Sequence, residues 1–389
     1  MVVVIRFIDK HLGNLICNFL GFFRINKNKG KKDYKKILVV QLWGIGETIL
    51  TLPSIEALRK NFPKTEIDVL ATSRNRDVFF NNKNIDSLKL IKLNPFSLLA
   101  FILRNLKKYE LVVDMEEYLN ISAIISFFAG KEVVGYSHGS RAKLYDRKVK
   151  YNNKQHVVQT FLDLIRELNI KYDAEKLPEL NYSKSDENKV DKFLKNNKIK
   201  SKDFLVVVAP GAAESAKSRM WPFERYAELC DELIEKYNAK VVFTGTPDES
   251  NLIKSIQDKM EKKESTFNAA GEINLNQLFC LMEKCKLFIG NDSGPMHIAA
   301  AQGVKTLGLF GPNLPARFGP YGKNGIGLYK GYTCQFSPCI NVHKGQIPDC
   351  LYPKDSNDYR KCMKNISTDD AIKETGKLVG LPKSFPNQD

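Results

Sequence analysis

The sequence predicts an α/β protein with two Rossmann-like domains, each built on a parallel sheet, that face each other across a cleft. Short apolar runs alternate with segments of helical periodicity, and this series occurs twice along the 389 residues. Between the two series, around residues 173–203, apolar density falls and charge rises. We therefore place the first domain at 34–180, a linker at 181–203 and the second domain at 204–389.

Composition narrows the class of partner. The chain has 43% hydrophobic residues, which is typical of a globular protein, and a formal net charge of +16. Such charge suits nucleic acid, anionic lipid or a phosphorylated substrate, but no zinc-finger or RNP motif is present, so we expect an anionic partner and no nucleic acid. We find no secretory signal and no apolar run of about 18 residues that could span a bilayer. Cysteines scattered through apolar segments indicate a reducing compartment, so we expect a cytoplasmic protein.

Residues 1–33 are predicted to form a separate N-terminal segment. Apolar residues recur there at helical spacing, namely Ile5, Ile8, Leu12, Leu15, Ile16, Phe19, Leu20 and Phe23. A run rich in lysine follows the predicted amphipathic helix, and this combination suits an anionic membrane surface. We therefore expect peripheral attachment to the inner face of the cytoplasmic membrane. The alternative is a helix that packs on its own domain or on a partner.

The first alternating series starts at Lys36. The predicted strands are KKILVVQL, TEIDVLAT, SLKLIKL, YELVVDM and KEVVGYS, and the helices between them include PFSLLAFILRNLKK and LNISAIISFFAG. After the first strand we expect a glycine-containing loop, 43–48, and a helix that begins or kinks near Pro53. Gly44 and Gly46 would let a ligand approach the backbone closely, and Glu47 would place a carboxylate at the cleft.

The second series ends in a βαβ unit at 286–311, KLFIGNDSGPMHIAAAQGVKTLGLFG. Ser293 suits the N-cap of its helix, Gly294 and Pro295 suit the first turn, and Gly303 suits the end. The open helix N-terminus would attract a phosphate, and Asp292 and His297 would flank it and bind sugar hydroxyls. The alternative is an ordinary capped crossover helix.

Two further loops follow strands of the second series. Residues 209–222 contain Lys217 and Arg219, whose positive charges suit phosphate, although a solvated surface loop is the alternative. Residues 245–250 contain Glu249, which can bond a ribose hydroxyl or act only as an acid in a helix's first turn.

Four cysteines stand close together near the end of the chain, and they are Cys334, Cys339, Cys350 and Cys362. Their spacing is looser than that of paired zinc ligands, so they suit either a structural metal site or packed thiols.

Together these loops resemble the heptosyltransferase family of bacterial lipopolysaccharide core assembly, glycosyltransferase family nine. The similarity runs from Lys35 to Ser367 and includes GIGETILTLP, the glycine-rich NDSGPMHIAAAQG and the FGP that follows it. Two positions depart from the family pattern. Glu47 stands where the family has its catalytic aspartate, and Arg219, two residues before Trp221, stands where the family has a lysine.

The resemblance implies a GT-B fold and an inverting, metal-independent transfer from a nucleotide-diphosphate sugar, with ADP-heptose as the expected donor and no cofactor. The acceptor would be a lipid-linked saccharide. Glu47 would be the catalytic base, with Gly44 and Gly46 in the acceptor loop. The implied donor-binding residues are Ser215, Lys217, Arg219, Glu249, Asp292, Ser293, Gly294 and His297. Two other functions stay open, a nucleotide-sugar 2-epimerase of similar fold and a catalytically idle membrane-bound scaffold.

Overall fold

A computed structural model describes residues 7–24, 33–346 and 348–380 of the chain, without the side chains of Glu214, Ser215 and Val342. The chain divides into two compact units. The first comprises Met1–Glu175 with Val342–Gly345, and the second comprises Lys176–Asn341 with Gln346–Asp389. The domain limits predicted from the sequence stay a prediction. The range predicted as linker contains a helix, Lys184–Asn196, that lies in the second unit.

The first unit contains a sheet of six parallel strands in the order β3-β2-β1-β4-β5-β6. The strands are β1 Lys36–Val40, β2 Glu66–Ala71, β3 Ser87–Leu90, β4 Tyr109–Asp114, β5 Gly130–Tyr136 and β6 Arg147–Val149. The first five confirm the predicted strands. Strand β6 is not predicted from the sequence, because this three-residue edge strand carries two basic residues and lacks an apolar run.

The helices of the first unit are α1 Asn14–Gly21, α2 Ile45–Asn61, α3 Pro95–Arg104, α4 Asn120–Ala129 and α5 Val157–Arg166. Of the two alternatives predicted at Pro53, a helix start there is wrong, while a kink there stays a prediction. The helix begins at Ile45 and Pro53 lies in its interior. Gly44 is the N-cap with φ of 72°, a left-handed conformation that glycine adopts without strain, so the chain turns into the helix eight residues earlier than expected. Helix α5 was not predicted.

The N-terminal helix consists of a π-helical turn, Asp9–Gly13, followed directly by α1. It confirms the predicted helix within the described residues, whereas residues 1–6 and 25–32 lie outside them. One face packs on the first unit. The Asp9 carboxylate accepts hydrogen bonds from the backbone N–H groups of Asn120 (2.9 Å) and Ile121 (2.8 Å), and Cys17 is fully buried. Asp9 thus caps the N-terminus of α4, which has no side-chain cap of its own at Leu119.

The second unit contains six parallel strands in the order β12-β11-β10-β7-β8-β9. They are β7 Phe204–Ala209, β8 Ala239–Phe243, β9 Thr266–Asn268, β10 Leu287–Asn291, β11 Lys305–Phe310 and β12 Gly325–Tyr329. Strands β10 and β11 confirm the two strands of the predicted βαβ unit, and β7 and β8 are the strands predicted to precede the loops at 209–222 and 245–250. The two edge strands, β9 and β12, are not predicted from the sequence, because one has three residues and the other has two glycines.

The helices of the second unit are α6 Lys184–Asn196, α7 Phe223–Tyr237, α8 Ser250–Gln257, α9 Leu275–Lys284, α10 Gly294–Ala301, α11 Pro315–Phe318, α12 Lys361–Lys364 and α13 Thr368–Val379. Trp221 lies at the centre of this unit's core. It packs edge-on against Tyr226 and donates from its indole nitrogen to the carbonyl of Ile366, at 3.0 Å. Because this tryptophan is fixed on both sides, the loop that leads to it, which contains Arg219, ends at a rigid point.

Candidate active site

The carboxyl ends of four adjacent strands bring four loops of the second unit together. Strands β11, β10, β7 and β8 lie side by side, and the loops that follow them are 311–314, 292–293, 210–219 and 244–249. Ligands of open α/β sheets bind at this edge, because the parallel strands all deliver their following loops to it. The predicted donor-binding residues of the second unit all belong to these loops or to the first turn of α10.

Asn291, the last residue of β10, ties the loop after β7 to the sheet. Its fully buried side chain donates to the carbonyls of Pro210 (2.8 Å) and Gly211 (3.2 Å). Its Oδ1 accepts from the backbone N–H of Trp221 (3.1 Å) and the hydroxyl of Tyr226 (3.0 Å). A buried amide with four hydrogen bonds is strongly held. Asn291 therefore fixes both ends of the loop that carries Arg219.

Arg219 lies against Asp292, the residue that follows β10. Its Nη1 donates to the carbonyl of Asp292 at 3.1 Å and lies 3.4 Å from the carboxylate Oδ2. The same Oδ2 accepts from Nδ2 of Asn313, at 2.9 Å. Asp292 is only 3% exposed, so its carboxylate orients the guanidinium from within the protein. The Nε of Arg219 is buried and has no hydrogen-bond partner among the described residues, so this cation retains donor capacity for an anion.

The N-terminus of α10 lies next to this ion pair. Ser293 is the N-cap in an extended conformation, Pro295 stands in the first turn, and that turn contains no acid. The Ser293 hydroxyl is buried and makes no hydrogen bond to any described residue. His297 is buried one turn into the helix. Because the first N–H groups of a helix lack partners and carry partial positive charge, this end suits an anion.

The other predicted donor residues lie nearby on the same loops. The Glu249 carboxylate caps its own helix start, accepting from the N–H (2.7 Å) and hydroxyl (3.1 Å) of Thr246. It also lies against Gly211, where a side-chain Cβ would stand 1.8 Å from Glu249 Oε1, so only glycine permits this approach. Lys217 is exposed on the 3₁₀ helix Glu214–Arg219. The side chain of Ser215 lies outside the described residues.

Glu47 of the first unit lies in the first turn of α2 and not in a loop. A Cβ at Gly44 would stand 1.9 Å from Glu47 Oε2, so the carboxylate folds back over the helix start and rests against the glycine. Gly46 is buried in the same turn. Two features therefore favour glycine at position 44. Its φ is positive, and the Glu47 carboxylate occupies the space that a side chain at this position would need.

Two side chains, those of Glu116 and Asn75, hold the turn before Glu47 in place through hydrogen bonds. The carboxylate of Glu116, two residues beyond β4, accepts from the N–H groups of Leu42 (2.5 Å) and Trp43 (2.9 Å). Asn75 donates to the carbonyl of Gln41 and to the hydroxyl of Thr48, both at 2.9 Å. Burial raises the pKa of Glu116 to about 8, and the neighbouring charge of Asp114 acts in the same direction.

A buried ionic cluster lies behind Glu116. Asp114 accepts from Arg141 (3.0 Å), Tyr145 (2.7 Å) and Ser122 (2.9 Å). Burial raises the pKa of Asp114. The cluster leaves one donor over, because Nη1 of Arg141 is buried and has no hydrogen-bond partner among the described residues. This cluster supports the position of Glu116 through the Asp114 carboxylate, which accepts from the Glu116 N–H at 3.2 Å.

The four late cysteines line one small cavity in the second unit, together with Ser218 and Pro312. All eight cysteines of the chain lie in the described residues and are free thiols. Burial raises the pKa of Cys362 to about 12 and raises that of Cys339. Within 7–24, 33–346 and 348–380, no three His, Cys, Asp or Glu side chains are placed to hold a metal ion. A structural metal here stays a prediction.

Comparison with known proteins decides the family. The model of glycosyltransferase family 9 (heptosyltransferase) matches residues 101–344, more than half of the chain. The chain belongs to glycosyltransferase family 9. This confirms the resemblance predicted from the glycine-rich unit and its neighbouring loops, and it makes the protein a glycosyltransferase.

Similar members of family 9 cover nearly the whole chain. Lipopolysaccharide heptosyltransferase 3 of Escherichia coli K12 is 26% identical over 360 residues, which are 88% of this chain and 97% of the relative. The family 9 structure from Veillonella parvula has a TM-score of 0.75 at 24% identity, covering 91% of this chain and 99% of that one. The structure of E. coli ADP-heptose lps heptosyltransferase II has a TM-score of 0.67 at 20% identity, with 88% and 98% covered. The predicted α/β fold of GT-B type is therefore confirmed.

Several residues that shape these sites were not predicted. Asn313 follows β11 and holds Asp292, while Asn75 and Glu116 hold the turn before Glu47. The rule that polar residues just past a strand's carboxyl end line the binding edge would have identified Asn313 and Glu116. Nothing local in the sequence marks Asn75.

In the part of the chain that the structure describes, no helix combines the length and the apolar character needed to cross a bilayer.

Proposed function

We propose that this family 9 enzyme transfers heptose from ADP-heptose to a lipid-linked saccharide of lipopolysaccharide core assembly, with inversion at the anomeric carbon. The relatives named above, a lipopolysaccharide heptosyltransferase and an ADP-heptose heptosyltransferase, support the choice of sugar and acceptor class. The observation that carries the proposal is that a half-buried Arg219, oriented by Asp292, lies beside the open N-terminus of α10.

On the donor side, the diphosphate binds at the loops of the second unit. Arg219 donates to a phosphate oxygen through the guanidinium that Asp292 orients, and the N–H groups at Gly294 and the Ser293 hydroxyl contribute further donors. Lys217 and Ser215 belong to the same loop, His297 stands one turn along α10, and Glu249 is available to a ribose hydroxyl. These cations and the helix dipole carry the leaving-group charge, so the transfer needs neither Mg²⁺ nor another cofactor.

On the acceptor side, Glu47 acts as the general base. Its carboxylate takes the proton of the acceptor hydroxyl while that oxygen attacks the anomeric carbon. The bond from the anomeric carbon to the diphosphate oxygen breaks, and ADP leaves with the bonding electron pair. Gly44 and Gly46 have no side chains that would project from the helix start, so an acceptor can approach the Glu47 carboxylate. Because the acceptor carries lipid, the enzyme works as a peripheral protein on the cytoplasmic face of an anionic membrane.

The test is ADP release measured with ADP-heptose in the presence and in the absence of a core saccharide acceptor that lacks heptose. A transferase releases ADP and forms the glycoside only when both are present. Consumption or epimerisation of the donor without acceptor, followed by NMR of the sugar, would instead identify a 2-epimerase. A thermal-shift panel of nucleotide sugars checks the donor, since a ligand at 100 times its Kd stabilises by about 2.7 kcal/mol. An idle scaffold would show no turnover in either assay.

A further inference from the structure

Helix α3 has an apolar face that nothing in the described part of the first unit covers. None of its residues is fully buried. Leu98 and Phe101 pack against the core cluster beside α4, whereas Phe96, Leu99 and Leu103 lie on the opposite side and are exposed, Phe96 at 87%. Leu106, just past the helix, extends this row. Spacings of three and four residues place these side chains on one face of the helix.

The N-terminal helix presents a second row of the same kind. Its inner face carries Asp9, Gly13 and Cys17, which contact the first unit. The outer face exposes Leu12, Leu15, Phe19 and Phe22, the last at 86%. The helix is therefore apolar on two sides, and docking on its own unit accounts for only one of them.

The two rows end at the same residue of α4. The Arg24 guanidinium lies over the Phe127 ring at 5.2 Å from its centroid, and the Lys107 ammonium lies over the same ring at 4.8 Å. Lys107 also donates to the carbonyl of Gly130 at 2.9 Å, which anchors the segment after α3. The segments that follow the N-terminal helix and α3 thus both reach this aromatic side chain with a cation, and Arg24 also forms an ion pair with Asp146.

We propose that these two exposed rows form one membrane-docking surface of the first unit, here called the two-helix surface, whose occupant is an anionic lipid bilayer. The choice of a bilayer rests on the proposed lipid-linked acceptor and on charge. Residues 87–108 contain five Lys or Arg and no Asp or Glu, and the one acid of residues 7–24, Asp9, caps α4.

Two cations near these rows are paired, Lys89 with Asp68 at 3.7 Å and Arg24 with Asp146, but both segments keep an excess of positive charge. Apolar side chains beside an excess of cations suit the interface of an anionic bilayer. A second copy of the chain, with its own net charge of +16, would be repelled at such a surface.

The experiment measures co-sedimentation of the full chain with phosphatidylglycerol vesicles and with phosphatidylcholine vesicles. Deleting the N-terminal helix would also remove the Asp9 cap, so substitutions on the outer faces are preferable. We expect Leu99→Glu with Leu103→Glu, and separately Leu15→Glu with Phe19→Glu, each to lower vesicle partitioning by about tenfold or more. Replacing Arg104 and Lys108 by Gln should lower binding to anionic vesicles by roughly fivefold per charge and weaken its salt dependence.

The matched control is Leu351→Glu, which places the same charge on an exposed leucine of the second unit and should leave vesicle binding unchanged. Unchanged melting temperatures and unchanged transfer to a saccharide without lipid show that the variants are folded and active. If the α3 variant binds vesicles like the wild type while transferring heptose, the two-helix surface is refuted and the proposed function stands. If vesicle binding falls but no sugar is transferred by any form, the surface stands and the proposed function fails. A dimer in sedimentation velocity that the α3 variant dissociates, with vesicle binding unaltered, would assign the surface to a second copy instead.

Discussion

Two strand-to-helix junctions have the same architecture but differ in what lies at the helix N-terminus. In the first unit, β1 passes through Gly44 into α2, and the first turn contains Glu47, whose carboxylate lies back over the helix start. In the second unit, β10 passes through Ser293 into α10, and the first turn contains no acid. The first helix start is thus covered by a charge of the protein itself, and the second is open beside a cation, Arg219.

The difference shows how one supersecondary unit serves two chemistries. An open helix start with Arg219 nearby favours a negatively charged ligand. A helix start that already holds a carboxylate disfavours a second anion, but it fixes that carboxylate in a defined place. We therefore expect substitutions at the first junction to change the rate of the chemical step and substitutions at the second to change donor affinity.

The largest expected effect is that of Glu47→Gln. Glutamine keeps the shape of the side chain and removes the proton acceptor, so kcat should fall by roughly 10²–10⁴-fold while the Kd for the donor stays nearly constant. Glu47→Asp should retain more activity than Gln because it keeps a carboxylate at this position. Steady-state kinetics and donor titration measure both quantities. Turnover of the Gln variant within a few-fold of wild type would mean that Glu47 only caps α2.

Arg219→Ala should weaken donor binding by about 1.5–3 kcal/mol, the range for a hydrogen bond to a charged group. Calorimetric titration with ADP gives the Kd directly. Arg225→Ala is the matched control, because that guanidinium binds the carbonyls of Lys364 and Ile366 instead, and its loss should leave the ADP affinity unchanged. An Arg219 variant that binds ADP as tightly as wild type would remove this residue from the donor site.

We call the β10–α10 junction the open junction and the β1–α2 junction, whose helix start is covered by Glu47, the closed junction. The sequence predicts the open junction better than the closed one, and the reason is physical. Ser293, Pro295 and Gly303 are local signals whose roles follow from backbone preference alone, and the helix lies where they place it. At the closed junction, Pro53 pointed to a later helix start. The true start depends on Gly44 and on the distant Glu116 and Asn75, contacts that no local pattern reveals.

The same distinction holds for the sheets. Interior strands are apolar runs because both faces are buried, so their composition identifies them. Of the four edge strands, β3 is predicted from its run SLKLIKL. The other three, β6, β9 and β12, are short or contain charged residues or glycine, and they form because a neighbouring strand supplies hydrogen-bond partners. The periodicity of a segment cannot show whether a neighbouring strand will supply these hydrogen bonds.

Gly44→Ala tests how tightly the closed junction is built. An alanine at φ of 72° costs about 1–2 kcal/mol, and its Cβ would also displace the Glu47 carboxylate. We expect lower stability together with lower kcat. Gly303→Ala is the control, because its φ is 71° but no atom lies within 4 Å of the added Cβ. It should lose similar stability in chemical denaturation and keep its kcat. Equal kcat in the two variants would contradict the close approach of Glu47 to Gly44.

The last prediction concerns the pH dependence of stability and Glu116, which holds the turn before Glu47. Its ordinary pKa of 4.5 rises to about 8 on burial. Between pH 4.5 and pH 8 this carboxyl is therefore protonated in the folded state and ionised in the unfolded state. The stabilising contribution of this carboxyl is therefore complete below pH 4.5 and is lost as pH rises towards 8, by at most about 1.4 kcal/mol per pH unit.

Glu116→Gln keeps an oxygen for the N–H groups of Leu42 and Trp43 but cannot titrate. Urea unfolding at several pH values should therefore show the difference in unfolding free energy, wild type minus variant, decreasing from pH 4.5 to 8 and constant above pH 8. The Asp114 and Arg141 charges behind it are common to both proteins, so their own pH dependence cancels in the difference to first order. A difference that is flat through this range would mean that Glu116 binds the two N–H groups as a carboxylate.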